Sequence, residues 1–106
     1  MIACDLYRRA DRALVVRAPV ERSLESIPCQ HSWSFAVERV LKGEEVSKEV
    51  SIYGRYRDHS EVPASMRIAR GEGRFILFMP ANAGDASAVL GILPWSEQAE
   101  AMLSAL

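Results

Sequence analysis

With 106 residues, of which 49% are hydrophobic and 25% charged, the chain has the composition of a single globular domain with its own core, spanning residues 1–106. Its net charge of −1 argues against a dedicated nucleic-acid binder, because such proteins carry an excess of lysine and arginine. No stretch approaches the ~20 apolar residues that cross a bilayer, and the start of the chain lacks the pattern of a signal peptide.

The first part of the chain changes from a helical to a strand period. Residues 5–11 are predicted to form one or two helical turns, with Asp5 as the cap. Leu14 and Val16 then begin an alternation that predicts a first strand, and Pro19 indicates an edge or a bulge in it. The polar residues 22–28 are predicted to form the loop that follows.

The second predicted strand has its larger side chains, most of them aromatic, at every other position, namely His31, Trp33, Phe35 and Val37. The alternation then slips, which predicts a bulge near Glu38 and Arg39. A third strand is predicted around Val50 and Ile52, after a turn at residues 42–45. Residues 55–73 are predicted to form a long loop with a helical turn.

The last part of the chain carries two further strands and a helix. The unbroken apolar run 75–79 predicts a strand that is covered on both faces. Leu90 and Ile92 mark a fifth strand, which ends at Pro94. Ser96 then caps a final helix whose apolar face is formed by Ala99, Met102, Leu103 and Leu106.

Five short strands with a helical piece at each end favour a small antiparallel β-barrel, because closure removes the free sheet edges. The predicted fold class is therefore mainly β, a five-stranded antiparallel barrel. Its predicted core consists of Leu14, Val16, Trp33, Phe35, Val37, Ile52, Phe75, Leu77, Leu90 and Ile92.

Three segments resemble a known family: residues 13–18 (ALVVRA), 33–43 (WSFAVERVLKG) and 73–78 (GRFILF). They are similar to bacterial domains of the netrin-like and tissue-inhibitor-of-metalloproteinase group, and the resemblance extends from Cys4 to about Leu93. It implies a five-stranded OB-type barrel in an exported protein, with a binding function and usually no enzymatic activity. Three residues precede Cys4 and one disulfide at most can form, so metalloproteinase inhibition is not expected.

The two cysteines are the only thiols of the chain. In an OB-type barrel the segment before the first strand can run beside the loop that holds Cys29. We therefore expect a Cys4–Cys29 disulfide under oxidising conditions, with two unrelated cysteines as the alternative.

Cys29 and His31 could face the same side of a strand and form half of a metal site or a thiol–imidazole pair. Structural zinc needs four ligands, and only Cys4 and His59 remain as soft ligands elsewhere in the sequence. We expect no enzymatic activity and no cofactor, and we keep a metal- or thiol-dependent protein as an alternative.

Aromatic and basic side chains interleave after the third strand: Tyr53, Arg55, Tyr56, Arg57 and His59. Aromatic stacking combined with arginine is also the chemistry of single-stranded nucleic-acid binding, which is a second alternative. Acidic neighbours oppose this charge, so we expect these residues to form a binding surface for another ligand.

The leading expectation is a noncatalytic binding or protein-interaction domain of an exported bacterial protein, periplasmic or secreted. The expected partner is another protein or a component of the cell envelope, and not a nucleic acid. Residues 53–66 are the expected contact surface. Trp95 is predicted to pack the last helix on the barrel and is a further candidate for partner contact.

Overall fold

The computed structural model describes residues 2–23, 30–44, 48–55, 73–81 and 89–106. In chain order the elements are α1 (Ile2–Arg9), β1 (Arg12–Arg17), β2 (Val20–Ser23), β3 (Gln30–Lys42), β4 (Glu49–Arg55), β5 (Arg74–Met79), β6 (Gly91–Pro94) and α2 (Glu97–Ser104). Every pairing among the described strands is antiparallel. The predicted mainly β class, with a short helix at each end, is confirmed.

Helix α1 forms because its small and apolar residues recur on one face. Ala3 and Leu6 are buried, as is Ala10 just after the helix, at spacings of three and four residues. The predicted start of this helix is wrong: α1 begins three residues before Asp5, which therefore lies inside it. The apolar face extends back to Ala3, which the prediction had left outside the helix.

The C-terminal end of α1 is tied to the end of β3. Lys42 donates from Nζ to the carbonyl oxygen of Tyr7 at 2.7 Å, and this Nζ lies 5.0 Å from the centre of the Tyr7 ring. The Tyr7 hydroxyl donates in turn to the carbonyl oxygen of Leu41 at 3.2 Å. A cation at the last carbonyls of a helix is favoured by the helix dipole, so Lys42 stabilises this end of α1.

The first predicted strand is divided into β1 and β2. The break lies at Ala18 and Pro19, where the backbone N–H of Ala18 donates to the carbonyl oxygen of Gly73 at 3.0 Å. Proline has no N–H to continue a ladder, which explains why the strand is interrupted at the predicted position. The five predicted strands therefore correspond to six segments.

Strand β3 belongs to two parts of the sheet. Its residues 30–36 pair with β4 and, in part, with β2; we call this group half B. Its residues 37–42 pair with β1, which continues through β5 to β6; we call this group half A. The register with β1 passes over Glu38 and Leu41, so the bulge predicted near Glu38 is confirmed.

The two halves share an inner core, which means that the sheet folds over on itself. Val37 is partly buried against this core. The buried residues of the inner core are Leu14, Val16, Trp33, Phe35, Val50, Ile52, Phe75, Leu77, Met79, Val89 and Ile92. The alternations read from the sequence for the first and second strands are therefore confirmed.

The opposite face of half A is covered by the two helices. This outer core consists of Ala3, Leu6, Ala10, Ala13, Ile76, Phe78 and Leu103. Strand β5 is thus buried on both faces, as its unbroken apolar run predicts. Ser96 caps α2 as predicted, its hydroxyl accepting from the backbone N–H of Ala99 at 3.0 Å.

One predicted core position, Leu90, and one predicted position on the apolar face of the last helix, Leu106, are wrong. Leu90 packs against the outer core and Val89 takes its place in the inner core, because β6 begins only at Gly91 and strict alternation does not reach back to Leu90. Leu106 is 55% exposed because α2 ends at Ser104, before the helical spacing reaches it.

The strands follow the order β2–β3–β1–β5–β6, and β4 pairs with the other edge of β3. Among the described strands β4 and β6 do not pair, so the sheet remains open where a barrel would close. None of the helices that the structure describes is long and apolar enough to span a membrane.

Candidate functional site

The predicted binding residues after the third strand are described only in part. Tyr53 lies on β4 opposite Ser32 and is 45% exposed. On the same face the hydroxyl oxygens of Ser34 and Ser51 lie 3.4 Å apart. Arg55 ends β4, whereas Tyr56, Arg57 and His59 lie outside the described residues. Tyr53 is therefore exposed, and the grouping of the five residues stays a prediction.

The candidate metal and thiol residues are described only in part, because Cys29 and His59 lie outside the described residues. His31 lies on β3, with its ring stacked on Trp33 at 6.1 Å between centroids. Cys4 lies on α1 and is bridged to no described residue, while Cys29 is outside the described residues. In the part of the chain that the structure describes, no three His, Cys, Asp or Glu side chains form a group suited to a metal ion. The disulfide stays a prediction.

A different constellation is well formed on the surface of half A. Its members all carry a charge or an indole and are linked in one chain of contacts. We call it the arginine–tryptophan cluster, and it consists of Arg17, Glu38, Arg39, Arg74, Trp95 and Glu100.

The strands bring two like charges together at one end of this cluster. Arg17 and Arg74 are direct partners in the antiparallel register of β1 and β5. They would repel each other if nothing lay between them. The bulge of β3 supplies Glu38, whose Oε1 accepts from Arg17 Nε at 2.8 Å and from Arg74 Nε at 3.2 Å. The other carboxylate oxygen, Oε2, forms an ion pair with Arg74 Nε at 3.0 Å. One carboxylate therefore holds both guanidinium groups.

The start of α2 completes the cluster. The guanidinium carbon of Arg74 lies 5.2 Å from the centre of the Trp95 ring, a cation–π arrangement. Trp95 donates from Nε1 to Glu100 Oε1 at 3.0 Å, and the same oxygen accepts from Arg39 Nη2 at 2.6 Å. Since Ser96 fixes the first turn of α2, Glu100 is held one turn further on, where it reaches both partners.

Both acidic groups of the cluster have a pKa below the ordinary value of a glutamate. The hydrogen bond from Arg17 lowers the pKa of Glu38, with further lowering by Arg74. The hydrogen bond from Arg39 lowers the pKa of Glu100, followed by that from Trp95. The hydrogen bond that Arg39 donates to Glu100 also raises the pKa of Arg39.

The two signs of charge lie at different depths. The Glu38 side chain is 17% exposed, whereas those of Arg17 and Arg74 are 66% and 43% exposed. The carboxylates thus lie beneath and the guanidinium groups above them, facing solvent. The surface that a ligand would meet is formed by positive, hydrogen-bond-donating groups beside an indole.

The sequence analysis predicted the bulge and named Trp95 as a candidate contact residue, but it did not predict that the two lie in one cluster. Arg39 and Glu100 are 61 positions apart and Arg17 and Glu38 are 21 apart, so no local spacing connects these pairs. The one available signal was the bulge, since bulges often redirect a side chain at functional sites.

An open groove of about 310 Å³ runs along α2, and its described lining is Ser96, Gln98, Ala99 and Met102. It carries no ionisable side chain among these residues. We therefore place the candidate site at the arginine–tryptophan cluster.

No protein-family model matches this chain, and a comparison with curated proteins gives no match either.

Proposed function

We propose that this chain is a noncatalytic binding domain of an exported bacterial protein and that it recognises another protein or a component of the cell envelope. The observation that carries the proposal is the arginine–tryptophan cluster, in which acidic groups hold arginines outward beside an indole. Arginine and tryptophan are enriched among the residues that dominate protein–protein binding energy.

The scaffold beneath the cluster supports this role. On the face of β1 and β5 that carries the two arginines, the next pair of residues is Val15 and Ile76. Both are buried completely or almost so. A recognition surface gains affinity when its side chains are fixed before the partner arrives. A sheet covered on both faces provides that rigidity.

We also propose that the fold is an OB-type barrel of the netrin-like kind. Such barrels are five-stranded and partly open, and a sheet whose two halves pack face to face around one inner core is compatible with that form. Closure would require β4 and β6 to approach each other. Cross-strand amide NOEs between these two strands would support the barrel, and their absence in a fully assigned spectrum would contradict it.

The binding function is testable by selection of peptides from a random phage-displayed library on the immobilised, folded chain. We expect a consensus peptide that binds with a stoichiometry of one in calorimetry and does not bind the urea-unfolded chain. Failure to enrich any consensus would contradict a peptide-binding function.

The nucleic-acid alternative is tested by a separate binding measurement with oligodeoxythymidine. Oligodeoxythymidine should not bind at physiological salt, because the chain has no positive surplus to release phosphate counterions. Submicromolar binding that falls steeply with salt would favour that alternative. Export is tested by recovery of the native protein in the periplasmic or culture fraction of its host.

A further inference from the structure

We propose that Arg17 and Arg74 together form a receptor for a carboxylate of an acidic peptide segment, with Trp95 as its floor. This inference rests on the proposed binding function and names the chemistry of the partner. Some nitrogen atoms of the two guanidinium groups already donate to Glu38, and the others are available to a ligand.

Both guanidinium groups bind Glu38 by the same edge. Arg17 and Arg74 each donate to this carboxylate through Nε, and in the described part of the chain their Nη groups donate no hydrogen bond. The two Nη groups of one arginine form a fork that matches the two oxygens of a carboxylate. Two such forks are therefore presented side by side at the solvent surface.

The orientation of Arg74 is fixed from two directions. Glu38 holds its Nε, and its guanidinium carbon lies over the Trp95 ring, 5.2 Å from the ring centre. The backbone N–H of Trp95 also donates to the Arg74 carbonyl oxygen at 3.0 Å, which keeps the indole in register with the strand. An arginine that is already oriented loses less side-chain entropy when it binds an anion.

The local charge favours a carboxylate over a nucleic-acid backbone. The cluster contains three arginines and two glutamates, so its net charge is +1. One carboxylate neutralises that charge. A phosphodiester chain would need further cations along its path to neutralise its further phosphates.

The test uses a blocked peptide of alternating glutamate and serine, with a glutamine–serine peptide as the uncharged match. Binding is followed by calorimetry and by the fluorescence of Trp95, which is partly exposed, whereas Trp33 is buried. We expect the glutamate peptide to bind, to change the Trp95 emission and to weaken with added salt. The glutamine peptide should neither bind nor change the Trp95 emission.

The variants Arg17→Ala and Arg74→Ala should each weaken binding at least about tenfold, since each removes charge-assisted hydrogen bonds. Arg17→Lys should recover only part of the affinity, because lysine keeps the charge and loses the fork. The control is Arg9→Ala, which removes an exposed arginine at the end of α1. It should leave the affinity unchanged.

Equal losses in Arg9→Ala and Arg17→Ala would overturn the proposal, because they would reveal attraction by overall charge alone. So would equal binding of the glutamate and glutamine peptides, or tighter binding of oligodeoxythymidine. If the library selection yields a consensus that binds Arg17→Ala and Arg74→Ala as well as the parent, this site fails while the binding function stands. If no peptide is selected, the peptide-binding function itself fails.

Discussion

Gly43 lies against the backbone of Asp11: a Cβ atom at Gly43 would be 2.7 Å from the Asp11 carbonyl oxygen. The residue also has a φ of +96°, in the region that side chains disfavour. It marks the point where the chain leaves β3 next to the start of β1. The contact is with backbone, which cannot move aside as a flexible side chain can.

Gly43→Ala should therefore destabilise the fold by roughly 2 kcal/mol or more, from the strained φ and the backbone overlap together. The matched control is Gly73→Ala, because Gly73 also has a positive φ, of +126°, yet has nothing within 4 Å of the added Cβ. It should cost about 1 kcal/mol. Urea unfolding measures both, and equal losses would contradict the close approach to Asp11.

Large apolar side chains on the two faces of the sheet should matter equally. Phe35 lies in the inner core and Phe78 in the outer core, and both are fully buried. Replacing either with alanine should cost about 3–5 kcal/mol. Tyr53→Ala is the control, since Tyr53 is exposed on β4, and should cost less than about 1 kcal/mol. A small loss for Phe78→Ala alone would show that the helices do not seal half A.

The arginine–tryptophan cluster should make stability depend on acidic pH. The pKa values of Glu38 and Glu100 are lowered in the folded chain, so the unfolded chain binds more protons in the acidic range. Their contribution is present above the ordinary glutamate value of 4.5 and is lost as the pH falls through the lowered values. Glu38→Gln combined with Glu100→Gln should reduce the difference in unfolding free energy between neutral and acidic solution.

Glu44→Gln is the control for this effect, because Glu44 is exposed and forms no ion pair within the described residues. It should leave the acid dependence unchanged. Urea unfolding at a series of pH values measures all three chains. An unaltered acid dependence in the double variant would show that the ion pairs contribute nothing to folding.

The disulfide between Cys4 and Cys29 stays a prediction. Closing a loop of this length would stabilise the fold by roughly 3 kcal/mol by its effect on chain entropy. Cys4 is held on α1, so the bridge requires Cys29 to approach the helix that covers half A. Mass spectrometry of a nonreducing digest of air-oxidised protein should recover one cross-linked pair of peptides. Two free thiols in folded, oxidised protein would contradict the bridge.

Elements whose cause is local could be predicted from the sequence. The alternation from Trp33 to Val37, the slip at Glu38 and the unbroken run of β5 each follow from side chains a few positions apart. The Ser96 cap is equally local, since it joins residues three positions apart. Burial patterns of this kind depend on the period of one strand or helix alone.

The cluster could not be predicted because its contacts depend on register between distant strands. The Arg17–Arg74 pairing exists only in one register of β1 and β5, and a shift by one residue would turn one of the two to the inner core. The start of α1 and the face of Leu90 were wrong for a related reason. Packing against another element decided both, and local spacing does not report it.

The thirteen residues of β3 run through both halves of the sheet, so neither half can form without the other. Opening half B would release the part of β3 that holds Trp33 and Phe35, and with it the inner wall against which Leu14 packs. The chain should therefore behave as a single cooperative unit. Amide protons in β1, β4 and β5 should exchange through one common opening event with the free energy of global unfolding.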